Sequence, residues 1–239
     1  MRAGTGISNL PDVAARLVRY NLKIIFATKF VYFLGVAVLL FAFTTLTRLL
    51  SDDAPTLASV YSLLLFPAIL LVSYPTLFGV QNDADARMLE MIFAIPNYRY
   101  KIWLVRILLI YAVLFVSMLG FGLITALVLL KFSVLSMVIQ VLFPAFFIGG
   151  LAFMFSTWVR NGNGTAVIMI AIGIAFWVAR GVLEYSQWNL FLNPFAAPQD
   201  INEAIWEHTI FANRMILSVS TVLVLLYGLL NLQQREKFL

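Results

Sequence analysis

The chain has 239 residues, 62% hydrophobic and only 11% charged, with 16 Lys and Arg against 11 Asp and Glu. Mean hydropathy is +0.96, whereas a soluble domain carries about 45–50% apolar residues, so a water-soluble core is excluded and the surplus calls for hydrocarbon around it. The absence of cysteine removes disulfides, thiolate metal sites and cysteine nucleophiles, and the formal charge of +5 reads as basic cytoplasmic loops, with no nucleic-acid partner.

From the N-terminus, Arg2, Arg16, Arg19, Lys23 and Lys29 precede the first apolar run. No short apolar core with a small-residue cleavage site is present, so the first span is expected to be retained. Within residues 1–29, Asp12, Arg16, Arg19 and Lys23 recur between Leu10, Val13, Leu17, Ile24 and Ile25. That pattern predicts an amphipathic helix lying in the inner interface, with a cytoplasmic helix packed on the rest of the protein as the alternative.

Six stretches then have the roughly 20 apolar residues a bilayer crossing needs: 30–50, 57–80, 102–130, 134–159, 165–183 and 215–232. The expected fold is an all-α polytopic membrane protein with six transmembrane helices in residues 30–239. Counting Lys and Arg on alternate sides gives twelve against four. The side with twelve holds both termini and the second and fourth loops, which places them in the cytoplasm of a multi-pass protein of the inner (cytoplasmic) membrane. Pro67 and Pro75 in the second stretch, and Pro144, Gly149 and Gly150 in the fourth, read as kinks and close helix packing.

Ionisable residues are costly within spans and therefore informative. Arg48 and Arg106 lie near span ends, where long side chains can snorkel. Arg180 and Glu184 are four apart near the outer end of the fifth span, so they share a helix face as a candidate polar pair on a pathway. The single histidine, His208, adjoins Glu207, and neither GxSxG nor HExxH occurs, so no catalytic or metal-binding residue is assigned.

Two loops carry pattern of their own. In the second, Asn82 or Asp83 can cap a short helix that ends at Pro96. Met88, Ile92 and Ile95 would form its apolar face, with Leu89 and Phe93 adjoining, and Asp83, Arg87 and Glu90 its polar face. The other is the outer loop 184–213, containing Asn193-Pro194-Phe195, then Pro198, then an amphipathic stretch 199–211 for which Asp200 is the expected cap.

These loops and the six spans resemble the permease subunits of ABC transporters of the type-2 exporter superfamily. At residue level the likeness rests on Arg87 to Pro96 with Arg99 and Lys101 behind it, and on Asn193-Pro194-Phe195. Many members carry Gly-Thr where this chain has Arg87-Met88. The resemblance implies an N-terminal interfacial helix, a coupling helix between spans two and three, and outer re-entrant helices between spans five and six. It further implies that Asp85, Arg87, Met88, Leu89, Glu90 and Phe93 meet a cytoplasmic ATPase, and that Asn193, Pro194 and Phe195 belong to an outer gate.

This chain has no G-x-x-x-x-G-K-[ST] loop, so ATP and Mg are expected on the partner ATPase and no cofactor on this chain. Six spans would be half of a unit completed by a second copy or a related permease, in contact with membrane lipid. The expected function is export of a hydrophobic, amphipathic or lipid-linked substrate. The alternative is a non-transporting assembly or regulatory subunit that recruits a cytoplasmic partner.

Overall fold

The computed structural model describes residues 28–85, 99–159 and 161–233. Among these, all regular structure is helical: α1 (Thr28–Leu49), α2 (Leu57–Asp85), α3 (Arg99–Val128), α4 (Val134–Val159), α5 (Gly162–Val178), the single turn α6 (Arg180–Leu183) and α7 (Glu203–Gln233). Five of them contain apolar segments of 20 to 30 residues with mean hydropathy of 2.0 to 2.6. At about 1.5 Å per residue even the shortest reaches about 30 Å, the thickness of a hydrocarbon core. The chain is therefore a multi-pass helical membrane protein.

Helices α2 and α4 form the centre. Their apolar segments are 61% and 56% buried, against 22% for α1, 33% for α3 and 28% for α7. The pair meets at Gly149, where a Cβ would lie 2.5 Å from Val72 Cγ2 and 3.2 Å from Tyr111 Cε1. Only a residue without a side chain allows that approach, the usual route to tight packing between membrane helices. Gly228 does the same for α7 on α4, since a Cβ there would stand 2.8 Å from Phe153 Cε1 and 3.3 Å from the Met154 Cα. Tyr111 closes the middle by stacking on Phe146 at 4.2 Å and donating its hydroxyl to the Phe146 carbonyl at 2.8 Å.

The perimeter is apolar and open. Leu127 is 87% and Val182 89% exposed, which would be an aggregation surface in water and is ordinary against lipid tails. Exposed Trp177, Tyr185 and Trp188 gather on the side that carries loop 184–202, where an aromatic belt marks a membrane–water interface.

Several boundaries differ from the sequence reading. Helix α2 runs unbroken to Asp85, so Asn82 and Asp83 continue the second stretch and do not cap a new helix. The fifth stretch starts at Gly162 because the Asn161 side chain caps it, accepting from the Asn163 and Gly164 N–H groups. The amphipathic stretch 199–211 and the last apolar stretch are one helix, α7. Its cap is Asn202, whose Oδ1 accepts the Ala204 N–H at 2.9 Å, and not Asp200. Arg106 does not snorkel: it is 4% exposed and lies over the Trp103 ring at 5.0 Å. The N-terminal interfacial helix and the loop from Arg87 to Asn97 lie outside the described residues.

Candidate functional site

Asparagines shape loop 184–202. Asn189 Oδ1 accepts the Phe191 N–H at 3.0 Å and Asn193 Oδ1 the Phe195 N–H at 3.1 Å, each an Asx turn that reverses the chain locally. With Pro194 and Pro198 in the same stretch, helix cannot propagate. Between Glu184 and Asn202 the chain therefore forms turns, where re-entrant helices were expected.

The loop is nonetheless seated in the bundle. Asn193 Nδ2 donates to the Ala58 carbonyl at 2.9 Å, Trp206 Nε1 donates to the Pro194 carbonyl at 3.2 Å, and the Phe195 ring packs 6.2 Å from Tyr61. Leu190 and Leu192 are buried beneath it. Asn213, 1% exposed on α7, uses both of its amide protons on the loop, donating to the Gln187 carbonyl at 2.8 Å and the Asn189 carbonyl at 2.9 Å.

Next to it stands Arg214, a cation 6% exposed in the twelfth position of α7. Its Nε donates to Gln140 Oε1 of α4 at 2.7 Å, Nη1 to Asn213 Oδ1 at 2.8 Å, and Nη2 to the Leu192 carbonyl at 3.2 Å. The guanidinium carbon lies 5.7 Å from the Phe143 ring centroid, a cation–π arrangement. The cation also acts on the buried Tyr61 hydroxyl of α2, both as a charge and as a hydrogen-bonding group.

All three acceptors are neutral, and among the described residues no carboxylate pairs with Arg214. Removing a charge from water costs several kcal/mol after relaxation, which neutral hydrogen bonds offset only in part. A guanidinium has five N–H donors, and beyond these three contacts it also meets the Tyr61 hydroxyl. The residue also lines a groove of about 410 Å³ between α4 and α7, with Phe143 and Met215 on its walls and Glu207 toward the loop-side end. A buried cation with only neutral partners among the described residues, at the edge of an apolar groove, has the chemistry to receive an oxyanion.

The residues expected from sequence fare differently. Asn193, Pro194 and Phe195 come together with Ala58, Tyr61 and Trp206. Arg180 begins α6 but its side chain lies outside the described residues. Glu184 ends that turn and is exposed, and its carboxylate raises the phenol pKa of the neighbouring Tyr185, with burial and Asp200 adding to the effect. Asp85 is the last residue of α2, its side chain undescribed, and Arg87, Met88, Leu89, Glu90 and Phe93 lie outside the described residues. Among the described residues no cluster of His, Asp and Glu could hold a metal.

Sequence reasoning missed Arg214, Asn213, Gln140 and Tyr61. The signal is present once 199–232 is taken as one helix, because an Asn-Arg pair then interrupts it well inside its first half. No family model, no curated protein and no solved structure matches this chain.

Proposed function

We propose that this chain is the transmembrane permease subunit of an ATP-driven exporter resembling the type-2 class of ABC transporters. Its substrate is hydrophobic, amphipathic or lipid-linked. One observation carries the reading: in a multi-pass helical protein, Arg214 is buried on a membrane helix beside an open groove with no carboxylate partner among the described residues, and such a charge supports a binding site or route for a ligand. In this reading α5 and α6 together make the sixth crossing, both termini are cytoplasmic, and the seated loop with Asn193, Pro194 and Phe195 closes the outer end.

Energy comes from a separate cytoplasmic ATPase that binds ATP and Mg. Closure of two ATPase subunits moves the segment bearing Asp85, Arg87, Leu89 and Glu90, and the spans follow as rigid bodies. Two permease chains alternate between states of different access, and the ATPase shifts their balance by binding one state better.

The test is affinity purification of the full chain from its native membrane, followed by vesicle reconstitution. A P-loop ATPase should co-purify, and Leu89→Asp should lower its hydrolysis several-fold while the chain still inserts, since an unpaired charge buried at a docking surface typically costs several kcal/mol. Absence of any such ATPase from the native complex would overturn the proposal. A complex that hydrolyses ATP indifferently to Leu89→Asp would favour the assembly-subunit reading.

A further inference from the structure

We infer that the groove between α4 and α7 is a lateral binding site for a bilayer glycerophospholipid, with its phosphate on Arg214 and an acyl chain along the apolar wall. This goes beyond the proposed function, because the site needs neither an ATPase nor transport.

Depth comes first. The apolar run 215–232 rises about 27 Å at ~1.5 Å per residue, close to the ~30 Å hydrocarbon core. Arg214, immediately before it, therefore sits at the glycerol–phosphate level on the side of loop 184–202. Gln140, near the loop-side end of α4, meets it at the same level through the 2.7 Å hydrogen bond. The exposed Trp177, Tyr185 and Trp188 mark that interface independently.

Shape and charge narrow the occupant. Ile139 is 42% and Met215 50% exposed, so the groove opens sideways, where acyl chains are, and its volume of about 410 Å³ falls within the usual range for ligand sites. Arg214 has no carboxylate partner among the described residues, and its planar guanidinium suits two oxygens of one phosphate. Glu207 is two helical turns farther toward water on the same face of α7 and lines the same groove. A carboxylate there repels a purely anionic headgroup and favours an ammonium, so phosphatidylethanolamine fits the pair of charges better than phosphatidylglycerol.

The purified, delipidated full chain is offered phosphatidylethanolamine, phosphatidylglycerol or diacylglycerol, and bound lipid is counted by native mass spectrometry. Phosphatidylethanolamine should bind at least about tenfold better than diacylglycerol, which lacks the phosphate, tenfold being about 1.4 kcal/mol. Gln140→Glu places a carboxylate on the Arg214 Nε without changing side-chain size and should erase that preference. Ile139→Trp fills the groove from an exposed position and should lower binding of all three lipids. Glu207→Gln should reduce the preference for phosphatidylethanolamine over phosphatidylglycerol. Equal binding of diacylglycerol and phospholipid to the unaltered chain, or phospholipid binding untouched by both Gln140→Glu and Ile139→Trp, would overturn the inference. So would disulfide formation between two chains carrying Ile139→Cys, which would make a second copy the occupant.

Discussion

The middle of the bundle around α4 and the loop-side end of the α4–α7 contact are built on opposite principles. In the middle, Gly149 brings Val72 and Tyr111 to van der Waals range and Gly228 admits Phe153, so contact is dry and close. At the loop-side end, Asn213, Arg214, Gln140 and the Leu192 carbonyl hold together through hydrogen bonds around a charge. In lipid, close packing supplies helix association where the hydrophobic effect between helices is absent. A buried cation supplies none of that and persists for what it binds. The contrast assigns stability to one region and ligand recognition to the other.

The largest break in that contrast is Gly149→Leu. Its Cβ alone would need Val72 to move, and overpacking costs about 1–3 kcal/mol or more where the neighbour is fixed in a core. Loss of the monodisperse, folded chain in detergent, or a steep fall in Tm, is the expected result.

Next in size is Asn213→Leu. It leaves the Gln187 and Asn189 carbonyls and the Arg214 Nη1 without their partner, at about 1–3 kcal/mol for buried groups left unsatisfied. The loss should be local: limited proteolysis should cut within 184–202 faster, while the bundle stays intact.

Phe195→Ala should have the smallest effect, about 1–2 kcal/mol. The ring is only part-buried and the full range of about 3–5 kcal/mol applies to fully buried Phe. The same proteolysis assay reads it.

Much of the fold is legible in the sequence because hydrocarbon imposes one rule on every span. Five of the six apolar stretches are helices long enough to cross a membrane, and the remaining one is the 17-residue α5 with the turn α6 after it, since a backbone in lipid has no other way to satisfy its polar groups. What escaped is local. The merging of 199–211 with the last span comes from residues 212–214 continuing the helix, where the sequence has neither Pro nor Gly to stop it, and the cap at its start falls on Asn202 and not Asp200. Once the boundary shifts, Arg214 moves from a loop into a helix interior, and its burial follows. Its partners are also non-local, Gln140 lying 74 positions away, so no spacing rule within one segment points to them. The Asn193-Pro194-Phe195 step was visible as a motif, while its Asx turn and its anchor on Ala58 at a separation of 135 residues were not.

The central claim is that Arg214 serves binding at some expense to stability. It is tested most directly by replacing the cation and its neutral partner together, Arg214→Met with Gln140→Leu, and measuring Tm and phospholipid binding on the same purified protein. The exchange leaves Asn213 Oδ1 and the Leu192 carbonyl without their donor, at about 1–3 kcal/mol for buried groups left unsatisfied. The account predicts a Tm lowered by no more than that, with the preference for phospholipid over diacylglycerol gone. A Tm that falls sharply while that preference survives would make Arg214 a structural strut and contradict the account.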